Sequence, residues 1–325
     1  MYEARRKIFW FAIISRIIVL SLQFIFNLLC PDHDADAFKS PTDKSEQVSL
    51  YDSLITILFG GLARWDGEYF LHIAKYGYTY ENTLAFYPLY PLLIRIISVP
   101  IKKIFFVLNI HSSVLIAAML VNVICFVKSA VIFYDLSKAV LKTTNVAYKA
   151  AILYCINPAT IFFSAAYSES LFAYLTYYSM LRSIKLDPYV SFPIGLSILT
   201  RSNGFIKDAE DNVQTERKKY PTEMLVFVIH GLFLTIFCIL FVHIQVSTRL
   251  ISSASPLIYW YCALLICHTS YNDHLYDDKE NVFSKWKIFF LTKKEYSLKD
   301  KLIFSYFLGY GVVGCFMFPN FLPWT

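Results

Sequence analysis

The chain has 325 residues, of which 57% are hydrophobic, 18% aromatic and only 17% charged. A soluble domain carries about 25% charged residues, so an ordinary soluble globule is excluded. The net charge of +6 is dispersed, with no basic patch interleaved with exposed aromatics, which excludes nucleic acid as a partner. Seven cysteines, an odd number with no Cys-x-x-Cys pair, give no disulfide framework and read as small buried hydrophobes.

In chain order, the basic cluster Arg5-Arg6-Lys7 precedes an apolar run from Ile8 to Leu29. That run is longer than the roughly 7–15 residues of a signal-peptide core, and no small-residue cleavage site follows it. It reads as a signal anchor with its basic end cytosolic, which sends residue 30 and beyond to the other side. Residues 30–85 hold nine acids against four Lys/Arg, with aromatics at intervals, and read as a luminal loop carrying interfacial helices. Further apolar runs occupy Phe86–Ile104 (broken by Pro88, Pro91 and Pro100), Phe105–Phe133, Ala147–Ala165, Leu171–Ile184, Tyr189–Thr200, Glu223–Val246, Pro256–Cys267 and Leu302–Leu322. A bilayer core takes about 20 apolar residues as helix, and the runs predict about eight membrane segments in one domain spanning 1–325. Continuous rather than alternating runs predict an all-α bundle, not a barrel. Residues 206–222 are uniformly polar and read as a linker; residues 269–301 read as a charged cytosolic loop. One conflict stays open. Lys102-Lys103 and the group Lys138, Lys142, Lys149 both read as cytosolic, yet one clear span separates them. Either 86–104 is not a full crossing, or one basic group faces the lumen.

Polar groups at membrane depth mark function. Arg64-Trp65-Asp66-Gly67-Glu68 puts two carboxylates beside an indole and a guanidinium; this is an acid/base site, or an interfacial helix whose charges face water. Asp32-His33-Asp34-Ala35-Asp36 offers oxygen and nitrogen ligands for a divalent cation, or a solvated start to the loop. Near Asn157-Pro158 one helix should end, and another should begin at Ser168, leaving Glu169 at a helix N-terminus where the dipole favours its charge. Arg201, closing an apolar run, is either a phosphate ligand or a snorkelling helix end. His230 and His243 read as interhelical hydrogen-bond partners on one helix rather than metal ligands. Arg16, inside the first span, needs a partner that the sequence does not name.

Taken in order, Pro31-Asp32-His33, Arg64-Trp65-Asp66-Gly67-Glu68, Phe86-Tyr87-Pro88, Asn157-Pro158-Ala159, Tyr167-Ser168-Glu169, Arg201-Ser202-Asn203-Gly204 and the terminal Asn320-Phe321-Leu322-Pro323-Trp324-Thr325 resemble the PIG-V family of GPI mannosyltransferases. The resemblance implies a GT-C membrane fold in the endoplasmic reticulum, multi-pass, with a luminal site. It implies transfer of the second mannose, α-1,6, from dolichol-phosphate-mannose to the GPI-anchor lipid precursor, with inversion. It assigns Asp66 as base and Glu68 as its or the acceptor's positioning group. Arg201 is assigned to the donor phosphate and Glu169 to sugar hydroxyls, with Asp32, His33, Arg64, Trp65, Tyr167 and Asn203 also lining the substrates. Membrane lipid is a further partner, and neither a metal nor a cofactor is assigned. Members of that family are longer, which implies an internal block missing after Gly204. Two other readings stand beside the enzyme: a catalytically impaired scaffold, and a transporter whose path Arg16, Lys128 and Arg201 line. Against the transporter, no repeat of hydropathy is found.

Overall fold

The computed structural model describes residues 2–41, 48–201, 222–242, 244–268 and 297–323. Asn203, His243, Trp324, the polar linker up to residue 221 and the charged loop up to 296 therefore lie outside the described residues. Among the described residues every regular element is helical. Four helices are long and apolar enough to cross a membrane: Glu3–Leu29, Ile110–Leu141, Met224–Phe241 and Leu298–Asn320. A fifth is formed if Val246–Ala254 and Leu257–Ile266, bent by 77° at their junction, count as one broken span.

The elements are α1 (Tyr2–Leu29), α2 (Leu50–Phe59), α3 (Asp66–Tyr76), α4 (Leu89–Ile104), α5 (Ile110–Leu141), α6 (Thr144–Cys155), α7 (Glu169–Ile184) and α8 (Ser191–Ile198). They continue with α9 (Thr222–Phe241), α10 (Ile244–Ala254), α11 (Leu257–His268) and α12 (Leu298–Phe304), the last joined through a π-turn to α13 (Tyr310–Met317). Buried side chains of α1, α5, α6, α7 and α11 and of the C-terminal helices share one core. Ala130, Ala147, Ala150 and Ala151 are fully buried in it, where small side chains let membrane helices approach closely.

The eight expected segments are not reached on length and apolarity, because four of the predicted runs form shorter helices. α4 and α7 have 16 residues each, α6 has 12 and α8 has 8. α6 stops at Cys155, just ahead of Pro158, whose ring and missing N–H cannot continue a helix. The chain then runs without regular helix to Ser168, and residues 157–173 are all buried. Such backbone survives at membrane depth only where protein groups satisfy it. Arg16 supplies them. Its guanidinium donates to the carbonyls of Cys155 (3.2 Å) and Thr160 (2.9 Å) and to the Ser164 hydroxyl (3.0 Å), and lies 3.8 Å from the Phe126 ring centre. The partner that the sequence left unnamed is thus the broken helix itself.

α5 sets the vertical scale. Arg5, at the start of α1, pairs with Asp135 near its C-terminal end (2.8 Å). Tyr90 and the Ala165 carbonyl both accept from Asn122, and Asp52 accepts from the Asn109 N–H (2.9 Å) at the opposite end. α6 leaves from the C-terminal end of α5, the turn 156–168 reaches Asn122, and α7 returns. α4 starts beside Asn122 and ends where Lys102 donates to the Leu108 carbonyl (2.6 Å). It climbs along the half of α5 nearer Asp52 and never reaches the Arg5 end. Of the lysines in the open conflict, Lys102 and Lys103 share the end of residue 52, opposite Arg5, Lys138 and Lys142, while Lys149 is buried within α6. The predicted single helix carrying His230 and His243 also differs, since α9 ends at Phe241.

Candidate active site

Four chain segments meet at one cavity. The first is the start of α3. Trp65 is held at φ +57°, ψ −127°, a sparsely populated backbone state that persists only where its surroundings enforce it. The enforcing contacts are visible: the Tyr167 hydroxyl accepts from the Asp66 N–H (3.0 Å) and faces the Arg64 carbonyl (3.4 Å). Ala166 N–H donates to the Leu62 carbonyl (2.9 Å). Gly67 permits this docking, because a Cβ there would stand 3.3 Å from the Leu62 carbonyl oxygen and 3.4 Å from the Tyr167 ring. Asp66 thereby opens α3, where the helix dipole favours its negative charge.

The second segment is the start of α7, where Ser168 takes the N-cap position and Glu169 the first helical position, as the sequence predicts. The third is the chain just past α8, with Arg201, and the fourth is α10, with Arg249. Arg201 donates to Glu169 Oε1 (2.6 Å). Arg249 donates from both terminal nitrogens to Asp66 Oδ2, each at 3.0 Å, and its Nε lies 3.9 Å from Glu169 Oε1. The Arg249 guanidinium also lies over Phe162 (5.3 Å) and Tyr167 (5.5 Å). Two acids and two guanidiniums therefore form one charge-balanced network. It lines a cavity of about 170 Å³, walled by Phe70, Phe86, Tyr87, Tyr167, Ser168 and Thr200. Glu169 is 2% exposed, and its Oε2 has no hydrogen-bond partner among the described residues. A buried acceptor left open at a cavity wall is costly, and a hydroxyl-bearing ligand would satisfy it.

The remaining predicted site residues that are described lie beside this cavity rather than in it, and Asn203 lies outside the described residues. Asp32 pairs with Arg64 (2.8 Å), and Arg64 Nε donates to the Pro319 carbonyl (3.1 Å) and stacks on Phe321 (4.3 Å). The His33 N–H donates to the Asn320 carbonyl (2.9 Å), and Trp65 packs edge-on against Phe321 (5.8 Å). These four tie the loop after α1 to the C-terminal segment. Gly61 sits at the same junction, with Gln23, Asn27 and Pro319 all within 3 Å of where a Cβ would stand. Glu68 faces away from Asp66, toward the Ser40 N–H (3.4 Å); burial pushes its carboxyl above the usual range, against the Ser40 N–H and the Lys75 and Arg64 charges. Next to it, His72 is 2% exposed, between the hydroxyls of Ser40 (2.8 Å) and Thr79 (2.7 Å). Burial, with Lys75 adding, holds its imidazole below the usual value. Among the described residues no three His, Cys, Asp or Glu side chains converge as a metal site, and Asp32 is committed to Arg64.

Arg249 is the site residue that sequence reading missed. It stands in the serine-rich stretch Val246–Ser255, between two apolar runs, where a lone cation reads as an inter-span residue. A larger cavity of about 730 Å³ opens between α1 and the C-terminal helices, lined by Ile14, Ile18, Leu22, Phe304, Leu308 and Val312. Among the described residues no carboxylate lines it, whereas Asp66 and Glu169 line the smaller one. Arg16, with its terminal nitrogens all bonded inside the core, lines neither.

A family model described as "Mannosyltransferase (PIG-V)" matches residues 5–222 and 202–325, two stretches that overlap in the polar linker. The chain is 42% identical to GPI mannosyltransferase 2 of Drosophila melanogaster, over 62% of this chain and 46% of that protein. It is 38% identical to GPI alpha-1,6-mannosyltransferase 2 of Homo sapiens, over 54% of this chain and 36% of that protein. With GPI mannosyltransferase pigv-1 of Caenorhabditis elegans the identity is 31%, over 50% and 25%. The chain thus spans about half or less of the length of the curated relatives it matches, and no solved structure matches it. With the family model covering both halves and the motif residues Asp66, Tyr167, Glu169 and Arg201 gathered at one cavity, the chain belongs to the PIG-V mannosyltransferase family.

Proposed function

We propose that this chain transfers the second mannose, α-1,6, from dolichol-phosphate-mannose to the GPI-anchor lipid precursor on the luminal side of the endoplasmic reticulum membrane. The observation that carries the reading is the convergence of Asp66, Glu169 and Arg201, from three separate segments, on one small polar cavity. The names of the relatives, GPI mannosyltransferase 2 and GPI alpha-1,6-mannosyltransferase 2, support the acceptor class and the linkage. A β-linked donor and an α product require inversion in a single displacement. Asp66 accepts the proton of the acceptor hydroxyl, whose oxygen bonds to the anomeric carbon. The bond from that carbon to the phosphate oxygen breaks, and dolichyl phosphate leaves with the electron pair. Glu169 Oε2 accepts from a sugar hydroxyl, and guanidinium charge stabilises the departing phosphate.

The luminal side is supported by charge. Asn122, at cavity level, stands about 28 Å along α5 from Leu141 at 1.5 Å per residue, close to the ~30 Å thickness of a hydrocarbon core. The basic end carrying Arg5, Arg6, Lys138 and Lys142 is then cytosolic, and the cavity opens at the opposite interface.

The test uses this chain as it stands. Expressed in cells lacking GPI mannosyltransferase 2, it should restore surface GPI-anchored proteins, and microsomes given labelled dolichol-phosphate-mannose should form the two-mannose precursor. Asp66→Asn should reduce that transfer by at least about a hundredfold, the usual scale for losing a general base. A well-expressed chain that forms no product would leave the scaffold reading in its place, and full activity of Asp66→Asn would move the base elsewhere.

A further inference from the structure

We infer that Arg249 is the donor-phosphate ligand and that it reaches the phosphate by leaving Asp66, so that donor binding itself releases the base. The inference rests on the reading of Asp66 as the base.

The two ion pairs of the cavity are not equivalent. Arg201 and Glu169 form the inner pair, with side chains 14% and 2% exposed. Arg249 and Asp66 form the outer one, with side chains 15% and 37% exposed. Breaking a buried pair strands a charge in a low-dielectric interior, whereas a pair that reaches solvent is weak. The outer pair is therefore the one that exchanges partners. Its geometry also favours exchange. Both terminal nitrogens of Arg249 converge on a single Asp66 oxygen, while Nε is buried with no hydrogen-bond partner among the described residues. A phosphate accepts from two guanidinium nitrogens in parallel, an arrangement that one carboxylate oxygen does not offer. The rings of Phe162 and Tyr167 lie under the guanidinium and let it shift in its plane while keeping its cation–π contact.

The chemistry needs the exchange. In the resting network both terminal nitrogens of Arg249 donate to Asp66 Oδ2, so that oxygen is engaged and not open to an acceptor hydroxyl. An arriving phosphate offers an anion of equal or greater charge, and Arg249 transfers to it. Asp66 Oδ2 is then open to the acceptor hydroxyl only when the donor is in place, which orders donor before acceptor.

The probe is citronellyl phosphate, a short isoprenyl monophosphate, titrated into the purified chain in detergent, with citronellol as the phosphate-free control and tryptophan fluorescence or thermal shift as readout. Arg249→Gln should weaken phosphate-dependent binding by at least about tenfold, the scale of losing charged hydrogen bonds, with Arg249→Lys between the two. Asp66→Asn should bind the phosphate several-fold more tightly than the parent chain, because the competing acceptor has been removed. A gain of affinity cannot come from a misfolded protein. Unchanged or weakened binding in Asp66→Asn overturns the exchange, and unchanged binding in Arg249→Gln overturns the assignment of Arg249. Failure of the transfer reading appears separately, as absence of mannosylated product while the phosphate signature persists.

Discussion

Two arginines of this chain, one buried and one at a cavity wall, do opposite work, and the difference lies in what accepts their hydrogen bonds. Arg16 is 1% exposed and donates only to neutral groups: carbonyls of residues 155 and 160 and hydroxyls of Thr160 and Ser164. Those acceptors stand open where α6 ends at Cys155. Arg249 meets carboxylates instead, at the wall of a cavity. Backbone carbonyls cannot move away without unfolding the turn 156–168, so Arg16 belongs to the fold. Carboxylates at a cavity can trade partners with an incoming anion, so Arg249 belongs to the site. Position inside an apolar bundle does not by itself make a charge functional; the chemistry of its acceptors decides.

That contrast can be broken by a pair of substitutions. Arg16→Met should destabilise the chain by on the order of 3 kcal/mol or more, because several buried acceptors lose their donors together. The measurement is thermal unfolding in detergent, alongside the monodisperse fraction on size exclusion. Arg16→Lys should recover little, since one ammonium does not reach both carbonyls. Arg249→Gln should shift unfolding by no more than about 1 kcal/mol, since Asp66 is partly solvated and Glu169 keeps Arg201. Equal destabilisation by the two substitutions would erase the distinction.

The rim gives a smaller effect. Asp32 and Arg64 form a pair with side chains 46% and 24% exposed, and such pairs contribute roughly 0–1 kcal/mol. Asp32→Asn should therefore leave unfolding within that range and weaken transfer less than Asp66→Asn does. A loss of transfer as large as that of Asp66→Asn would put Asp32 into the chemistry instead.

Much of this was legible in the sequence, for identifiable reasons. Apolar runs mark α1, α5, α9 and the C-terminal span because lipid demands length and continuity. Ser168 and Glu169 open α7 where the Asn157-Pro158 break predicts a new start. Asp66, Tyr167, Glu169 and Arg201 meet at one cavity. What stayed hidden were relations between distant segments. Arg249 is 183 residues from Asp66, and no local pattern ties the two. Arg16 and the Pro158 break were each visible alone, but a guanidinium capping a broken helix in another span is a tertiary fact. Composition likewise shows that Asp32, His33 and Glu68 are polar near the site, not that they face the C-terminal segment and Ser40 instead of the cavity.

The smallest effect concerns the segment 31–41, whose inner end is held by Ser40 on His72 and by Phe38 stacked on Tyr69 at 4.2 Å. His72 and Glu68 titrate there with opposite consequences. Burial lowers the His72 value below 6.5, so the unfolded chain binds that proton more tightly. Its contribution to stability is complete above pH 6.5 and is lost as pH falls through the folded value. Burial raises the Glu68 value above 4.5, so the folded chain binds that proton more tightly, and its contribution is complete below pH 4.5 and lost as pH rises through the folded value. The His72 slope lies below pH 6.5 and the Glu68 slope above pH 4.5, and the two run in opposite directions. Glu68→Gln should expose the histidine slope, with unfolding temperature falling on acidification and trypsin cutting faster at Lys39. His72→Asn should expose the other, with unfolding temperature rising on acidification. Each variant is read by the sign of its slope. If both variants track the parent chain across this range, the segment is held by the aromatic stack and not by the titrating pair.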